Sequence, residues 1–290
     1  MTDDLALFEA ERGRLRAVAY RMLGSMTDAD DVVQDAWIRW DRLGATRRTE
    51  VERPAAWFTT TTSRLALDRL RSAQHRREQY VGPWLAEPII TDGDPADSVE
   101  LAESLTLGFL AVLERLAPVE RAVFLLAEVF DEPFAEIAGV VGRSEEACRQ
   151  IASRARRRVR DEHRHAAAPT RSSDELLHAF VAACADGSID EFRRVLADDV
   201  VLVSDGGPDV HAARRPVLGV ERVGRLLANL VRRMADHATL EFHSVNGEPG
   251  LLARRRGVPW FVVALELDGD RVRSIHLVIN PDKLRQVGGA

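Results

Sequence analysis

The sequence predicts a multidomain chain in which two all-α segments precede an α+β domain. Three observations carry this. Apolar side chains recur at helical spacing through residues 1–165, with one interruption. Beyond a break at 165–173, β-branched runs alternate with turn residues. The 290 residues also exceed what a single core usually serves.

Taken in order, residues 29–43 place Ala29, Val32, Val33, Ala36, Trp37, Trp40 and Leu43 on one helical stripe, with Asp30, Asp31, Gln34, Asp35 and Arg39 mostly off it. Pro54 suits a first helical position, where no N–H is needed. The helix after it holds Trp57, Phe58, Leu65 and Leu70, and Trp57 and Phe58 are assigned to its core side. Gly82, Pro83, Pro88, Gly93 and Pro95 abolish periodicity, which sets domain limits of 1–79, a linker over 80–97, and a second helical domain over 98–165. A third domain is expected over 172–290. It opens on an amphipathic helix at Leu176, Leu177, Phe180 and Val181. Antiparallel strands follow at 200–203, 239–245, 260–267 and 272–279, the last two joined by Asp268, Gly269 and Asp270.

The formal charge of −6 hides a segregation. Residues 1–80 carry net +1, 81–141 net −10, 142–171 net +5 and 172–290 net −2. Cys148 and Cys184 form neither a disulfide framework nor a zinc site, and no cofactor or metal motif is present. No apolar run is long enough to span a membrane, and the acidic N-terminus lacks a signal-peptide layout, so a cytoplasmic chain without a membrane partner is expected.

The most mechanistic segment is 134–158. Phe134 to Val141 forms a short helix, Gly142 and Arg143 a turn, and Ser144 an N-cap followed by Glu145 and Glu146 at the positive end of the next helix. Ala147, Ile151 and Ala155 supply the packing stripe of that helix. Its other faces carry Arg149, Gln150, Ser153, Arg154, Arg156, Arg157 and Arg158, and with the turn before it Arg143, Ser144, Glu146, Arg149, Gln150, Ser153, Arg154 and Arg157 are the candidates for reading DNA. Arg and Gln match base edges in the major groove, and the later arginines match phosphates. The pattern also suits a solvated basic helix in an ordinary bundle.

Several segments in one order resemble the extracytoplasmic-function (ECF) sigma factors: Ala17 to Gly24, Asp28 to Trp40, Arg53 to Phe58 with Leu65 to Arg71, and Leu116 to Leu125. The resemblance covers about residues 5–162. It implies that the 29–40 helix docks on the clamp coiled coil of core RNA polymerase through Asp30, Asp31, Gln34, Asp35 and Trp37. It implies that the loop 42–53 captures a flipped base, and that Arg64, Asp68, Arg71, His75, Arg76 and Arg77 face the −10 element of promoter DNA. The helix-turn-helix then reads the −35 element. The acidic linker would enter the polymerase cleft as a nucleic-acid mimic or serve as a plain tether.

Four further segments resemble a subgroup with a C-terminal SnoaL-like domain: Trp84-Leu85-Ala86-Glu87-Pro88, Asp205-Gly206-Gly207, Val245 to Pro249, and Asn280-Pro281-Asp282-Lys283-Leu284. Two departures stand out. Ala86 replaces a proline, and Pro208-Asp209 replaces a glycine–lysine pair, which puts any role of that lysine in doubt here. The resemblance implies a cone-shaped α+β domain with an apolar pocket that modulates the sigma domains in place of a separate anti-sigma protein. Trp84, Leu85, Glu87, Pro88, Asp205, Gly206, Gly207 and Asn280 to Leu284 are its interface candidates, with Trp84 expected to be exposed. Some SnoaL-like domains are enzymes, and Asp205, His211, Glu241, His243, Glu266 and His276 are the acid and histidine candidates; no pair has a diagnostic spacing, so a non-enzymatic role is favoured. The pocket leaves room for an unidentified small ligand.

Overall fold

The computed structural model describes residues 2–78, 80–91, 106–162, 168–234 and 238–287. The chain divides into two compact units. One comprises residues 1–79, 99–101 and 112–164; the other comprises 80–98, 102–111 and 165–290.

In the first unit α1 (Thr2–Leu23), α2 (Met26–Arg42) and α4 (Pro54–Glu78) pack together, with the short α3 (Gly44–Thr49) between the last two. Gly24 at φ +66° ends α1, and the Ser25 hydroxyl accepts the Asp28 N–H at 3.2 Å to start α2. The α2 stripe packs as its spacing dictates, with Ala29, Val32, Val33, Ala36 and Trp40 buried. An aromatic core forms where Phe8, Trp40 and Phe58 meet, with half-buried Trp37 and Trp57 packed against them. Burying side chains of this size contributes about 1.5–3 kcal/mol each.

The same unit holds the end of α5 (Leu107–Leu113), then α6 (Pro118–Glu128), α7 (Phe134–Val141) and α8 (Glu145–Glu162). Gly142 at φ +67° ends α7, and the Ser144 hydroxyl accepts the Ala147 N–H at 3.2 Å to open α8. The buried stripe of α8 is Cys148, Ala152, Ala155 and Val159, one position on from the expected Ala147 and Ile151, which are only half-buried. A strict four-residue repeat drifts about 40° round the helix at each step, whereas steps of four, three and four stay on one face.

The second unit contains α9 (Ser173–Asp186), α10 (Ile189–Val195), β1 (Leu196–Asp205), β2 (Val217–Leu218), α11 (Val220–Met234), β3 (Ala238–Val245), β4 (Glu248–Arg255), β5 (Val258–Asp268), β6 (Arg271–Val278) and α12 (Pro281–Leu284). The sheet runs β2-β1-β6-β5-β4-β3. All pairs are antiparallel except β1–β6, which is parallel and corrects the expectation of antiparallel strands alone. A parallel neighbour requires a crossover, here supplied by everything between β1 and β6.

β4 was not expected. Its sequence has no β-branched residue and contains Pro249 and Gly250, so its local preference is weak. It exists because it is flanked by two turns with positive φ at both central residues, Asn246-Gly247 and Arg256-Gly257, and sits between β3 and β5. Alternation then sorts the sheet. Phe261, Val263, Leu265, Ile275 and Leu277 join the core beneath α9, α10 and α11, and Glu266 and His276 point to the opposite face. No helix among the described residues is long and apolar enough to cross a membrane.

Candidate functional sites: nucleic-acid faces and a linker latch

On α8, and in the turn before it, Arg143, Ser144, Glu146, Arg149, Gln150, Ser153, Arg154 and Arg157 are all exposed. Arg149 pairs with Glu145 at 2.8 Å across one turn and stacks over the Phe134 ring, 5.3 Å from its centroid. Two later arginines of the same basic run, expected to suit phosphates, have a different task. Arg156 makes a forked pair with Glu128 of α6, and Arg158 reaches Glu120 and the Arg115 carbonyl at 3.0 Å each. These ties fix the roll of α8 against α6 and leave its other arginines outward.

The candidates on α4 separate into three groups. Asp68 and Arg71 are exposed and pair with each other at 3.3 Å. Arg64 is exposed but donates to the Gly139 carbonyl of α7 at 2.7 Å, and Arg53 before α4 pairs with Glu136 of α7 at 3.5 Å. Arg77 does not face outward: it pairs with Glu114 and donates to the Leu23 carbonyl, and its side chain is only 15% exposed. Glu114 also holds the buried Arg121, whose guanidinium donates to the Arg21 carbonyl. A cation in a closed network of this kind was beyond reach from its place in a basic run. The side chains of His75 and Arg76 lie outside the described residues.

On α2, Gln34 and Asp35 are exposed. Asp30 pairs with Arg16 at 2.6 Å, and Asp31 pairs with Arg69 at 2.9 Å, so both acids already hold cations of their own unit. Trp37 is half-buried, with its ring 4.9 Å from that of Phe8.

The interface candidates of the second unit converge on a single buried carboxylate. Asp205, at the end of β1, is 0% exposed and accepts four donors: Tyr80 Oη at 2.5 Å, the Leu85 N–H at 2.8 Å, the Gly207 N–H at 3.0 Å and Lys283 Nζ at 2.6 Å. Lys283 also donates to the Leu85 carbonyl, and its ammonium sits 3.8 Å from the centroid of the Trp84 ring. Trp84 is therefore half-buried, not exposed as expected, because the cation occupies its face. Asn280 donates from its amide nitrogen to Tyr80 Oη at 2.9 Å, while its amide oxygen accepts the Asp282 N–H at the start of α12. Burial and the neighbouring carboxylate push the Tyr80 phenol well above its ordinary range, so it acts as a donor.

The two glycines after Asp205 are required sterically. A Cβ at Gly206 would lie 2.4 Å from the Val210 carbonyl oxygen, and one at Gly207, already at φ +68°, would lie 2.8 Å from the Asn280 amide. Pro281 and Asp282 are exposed and serve α12 itself, and Leu284 is buried. Pro88 is buried and Glu87 half-buried. Pro208 and Asp209, at the departure from the subgroup pattern, are exposed, and the cation of the site comes from Lys283, the only lysine in the chain.

The segment continues as an added edge on β3. Ile89 and Asn246 exchange backbone and side-chain hydrogen bonds at 2.8–2.9 Å, and Thr91 binds Ser244 through its N–H at 2.8 Å and its hydroxyl at 2.7 Å. Residues 80–91 are thus strapped to the sheet at both ends. Tyr80, Thr91 and Asn246 were missed as site residues; the available signal was an aromatic and a hydroxyl in a stretch otherwise rich in Pro and Gly.

Beneath residue 108 lies a second buried cluster. A Cβ at Gly108 of α5 would fall 2.8 Å from Glu266 Oε2 and 3.2 Å from His276 Cε1. Burial, with the Glu266 charge adding to it, pushes the nearby Glu248 carboxyl up to about 8, and burial pushes the His276 imidazole down to about 4. Both are neutral near pH 7. Of the six acid and histidine candidates, only His211 lines the cavity on the other face of the sheet. Glu241 and His243 contact each other at 3.5 Å on β3, and Arg254 holds the Glu241 carboxylate below its ordinary range. Among the described residues no cluster of His, Cys, Asp and Glu is arranged to hold a metal.

Residues 7–76 match the Sigma-70 region 2 family and 107–159 match Sigma-70, region 4. The ECF RNA polymerase sigma factor SigJ of Mycobacterium tuberculosis is 39% identical over 97% of this chain and 93% of its own. The probable ECF RNA polymerase sigma factor SigI of the same organism is 33% identical over 96% of this chain and 94% of its own. The crystal structure of M. tuberculosis SigJ superposes with a TM-score of 0.76 at 36% identity, covering 96% of this chain and 97% of that one. Two helical sigma domains, an α+β domain after them in the sequence and near-full-length likeness to sigma factors lead to one conclusion: the chain belongs to the ECF RNA polymerase sigma factors, in a form with a fused C-terminal α+β domain.

Proposed function

We propose that this chain directs core RNA polymerase to its promoters through three surfaces and that its C-terminal domain restrains the linker between them. The outward face of α8 reads the −35 element, with Arg149, Gln150, Ser153 and Arg154 nearest the base edges and Arg157 on phosphate. The exposed side of α4 around Arg64, Asp68 and Arg71 meets the −10 element. The exposed amide of Gln34 and carboxylate of Asp35 on α2 register and steer docking on the basic face of the clamp coiled coil; Asp30 and Asp31 join them only if Arg16 and Arg69 let go. Domain limits of 1–79, 80–97, 98–165 and 172–290 fit this assignment of tasks, and a cytoplasmic location fits a polymerase partner.

The observation that carries the regulatory part is the Asp205 site. A carboxylate with four donors, two of them from the linker, is a costly arrangement to bury unless holding the linker is its purpose. Holding residues 80–91 on the sheet limits how far apart the two DNA-reading domains can move. Release of the linker is then the activating step. The internal ties of Arg53 and Arg64 to α7 cover part of the −10 face and must also open before DNA binds there.

The test is run-off transcription with core polymerase on a promoter selected from random DNA. The chain gives one discrete start, and the Gln150→Ala/Arg154→Ala variant lowers that transcript at least tenfold. Absence of any promoter-specific transcript from the full chain, from residues 1–165 and from a truncation before Asn280 contradicts the assignment.

A further inference from the structure

The core face of the C-terminal sheet and helices α9 and α11 enclose a cavity of about 470 Å³. Its wall is apolar: Phe180, Leu227, Leu251, Trp260, Val263 and Leu277 are representative. An apolar cavity of about 150 Å³ takes one benzene, so this one accommodates roughly 18 non-hydrogen atoms. The charged side chains among its described lining residues are Arg233 and Arg255, both exposed and so at the rim; no acid lines it. Arg255 is held by stacking over the Trp260 ring, 5.3 Å from the centroid. His211 adds a further polar group, and the Cys184 thiol in the wall, pushed up to about 12 by burial, stays neutral.

The cavity also touches the Asp205 site through the backbone. Ile279 lines it and donates its N–H to the Asp205 carbonyl at 2.7 Å. Val210 lines it and packs its carbonyl against Gly206, where not even a methyl group would fit. A body filling the cavity therefore presses on two residues that pack against the Asp205 turn, Val210 in the loop after β1 and Ile279 just past β6.

We infer that the cavity binds an organic acid, with an apolar body of roughly 18 atoms inside and an anionic head on Arg233 and Arg255, and that occupancy is transmitted through Val210 and Ile279 to the linker at Asp205. The binding half stands on the cavity alone; the transmission half rests on the linker-restraint reading above. Apolar burial supplies affinity and the rim cations supply selection by charge.

Titration of the full chain with dodecanoate, dodecanol and dodecyltrimethylammonium below their micellar concentrations tests both halves. Dodecanoate binds at one per chain, at least tenfold more tightly than dodecanol, and the ammonium compound does not bind. Arg233→Gln/Arg255→Gln, a surface variant that leaves the fold intact, weakens dodecanoate about tenfold and leaves dodecanol unchanged. Leu230→Trp, which fills the cavity, removes both. Equal affinity for dodecanoate and dodecanol, or no saturable binding, overturns the proposed ligand. Hydrogen exchange at the Leu85 and Ile89 amides changes at least threefold on saturation; binding with no such change overturns the transmission and leaves the linker restraint to be judged on transcription.

Discussion

Single side chains decide two properties of the C-terminal unit. Glu248 is neutral when buried and ionised when the unit unfolds, so its contribution to stability falls as pH rises from its ordinary value near 4.5 to about 8. His276 works in the opposite sense: it is neutral when buried, so stability falls as pH drops from 6.5 towards about 4. Between about 4.5 and 6.5 the two slopes cancel. Between 6.5 and 8 Glu248 acts alone, at about 1.4 kcal/mol per pH unit. Urea unfolding at pH 6.5 and 8 should therefore show the unit about 2 kcal/mol weaker at the higher pH. Glu248→Gln should remove most of that difference. The buried Lys283–Asp205 pair sets the second property. Lys283→Met leaves Asp205 without its cation and costs about 3–5 kcal/mol, read from urea unfolding followed by tryptophan fluorescence. Asp205 and Lys283 were legible only through family likeness. Asn246 and Glu248 lay in a segment of the same likeness but were given no role, and Tyr80 lay in none, because a lone polar residue in a sequence carries no mark of where the chain will bury it.

At the scale of elements, the helices of the first 165 residues were legible, whereas α10, α11 and the strands β2 and β4 were not. The α2 stripe, the cap at Ser144 and the turn at Gly142 are encoded locally, and the structure has them in place. The α8 stripe was found one residue out of phase, since the sequence offers Ala at 147, 152 and 155 and only packing against α6 and α7 chooses among them. β4 lacks the branched side chains that mark a strand and owes its state to its neighbours. On α8 the split between outward and tied arginines gives a graded expectation. Arg154→Ala should weaken promoter binding by the holoenzyme about tenfold, as loss of a base or phosphate contact does, with less salt dependence left behind. Arg158→Ala should act mainly through the Glu120 and Arg115 ties, lowering the thermal stability of the helical unit more than it lowers affinity for DNA. Melting curves and fluorescence anisotropy on the two variants separate these outcomes.

For the whole molecule, a mildly acidic net charge conceals a division of labour. The basic block 142–171 contains α8, and the strongly acidic block 81–141 contains the linker segment held at Asp205 and Asn246. The order of domains was readable because periodicity changes from helical to alternating at a visible break. That residues 84–88 pack on the C-terminal unit was expected from family likeness alone; the partners themselves carry no local mark, because the contacts join residues 120 to 200 positions apart. The central claim is that these contacts restrain a sigma factor. Single-round transcription with core polymerase, comparing the native chain with Lys283→Met at a temperature where both are folded, tests it most directly. Exchange at the Leu85 amide confirms in the same samples that the linker is free. Release of the linker should raise the promoter-specific transcript at least threefold from an unchanged start site. A freed linker with unchanged or reduced transcript would contradict it.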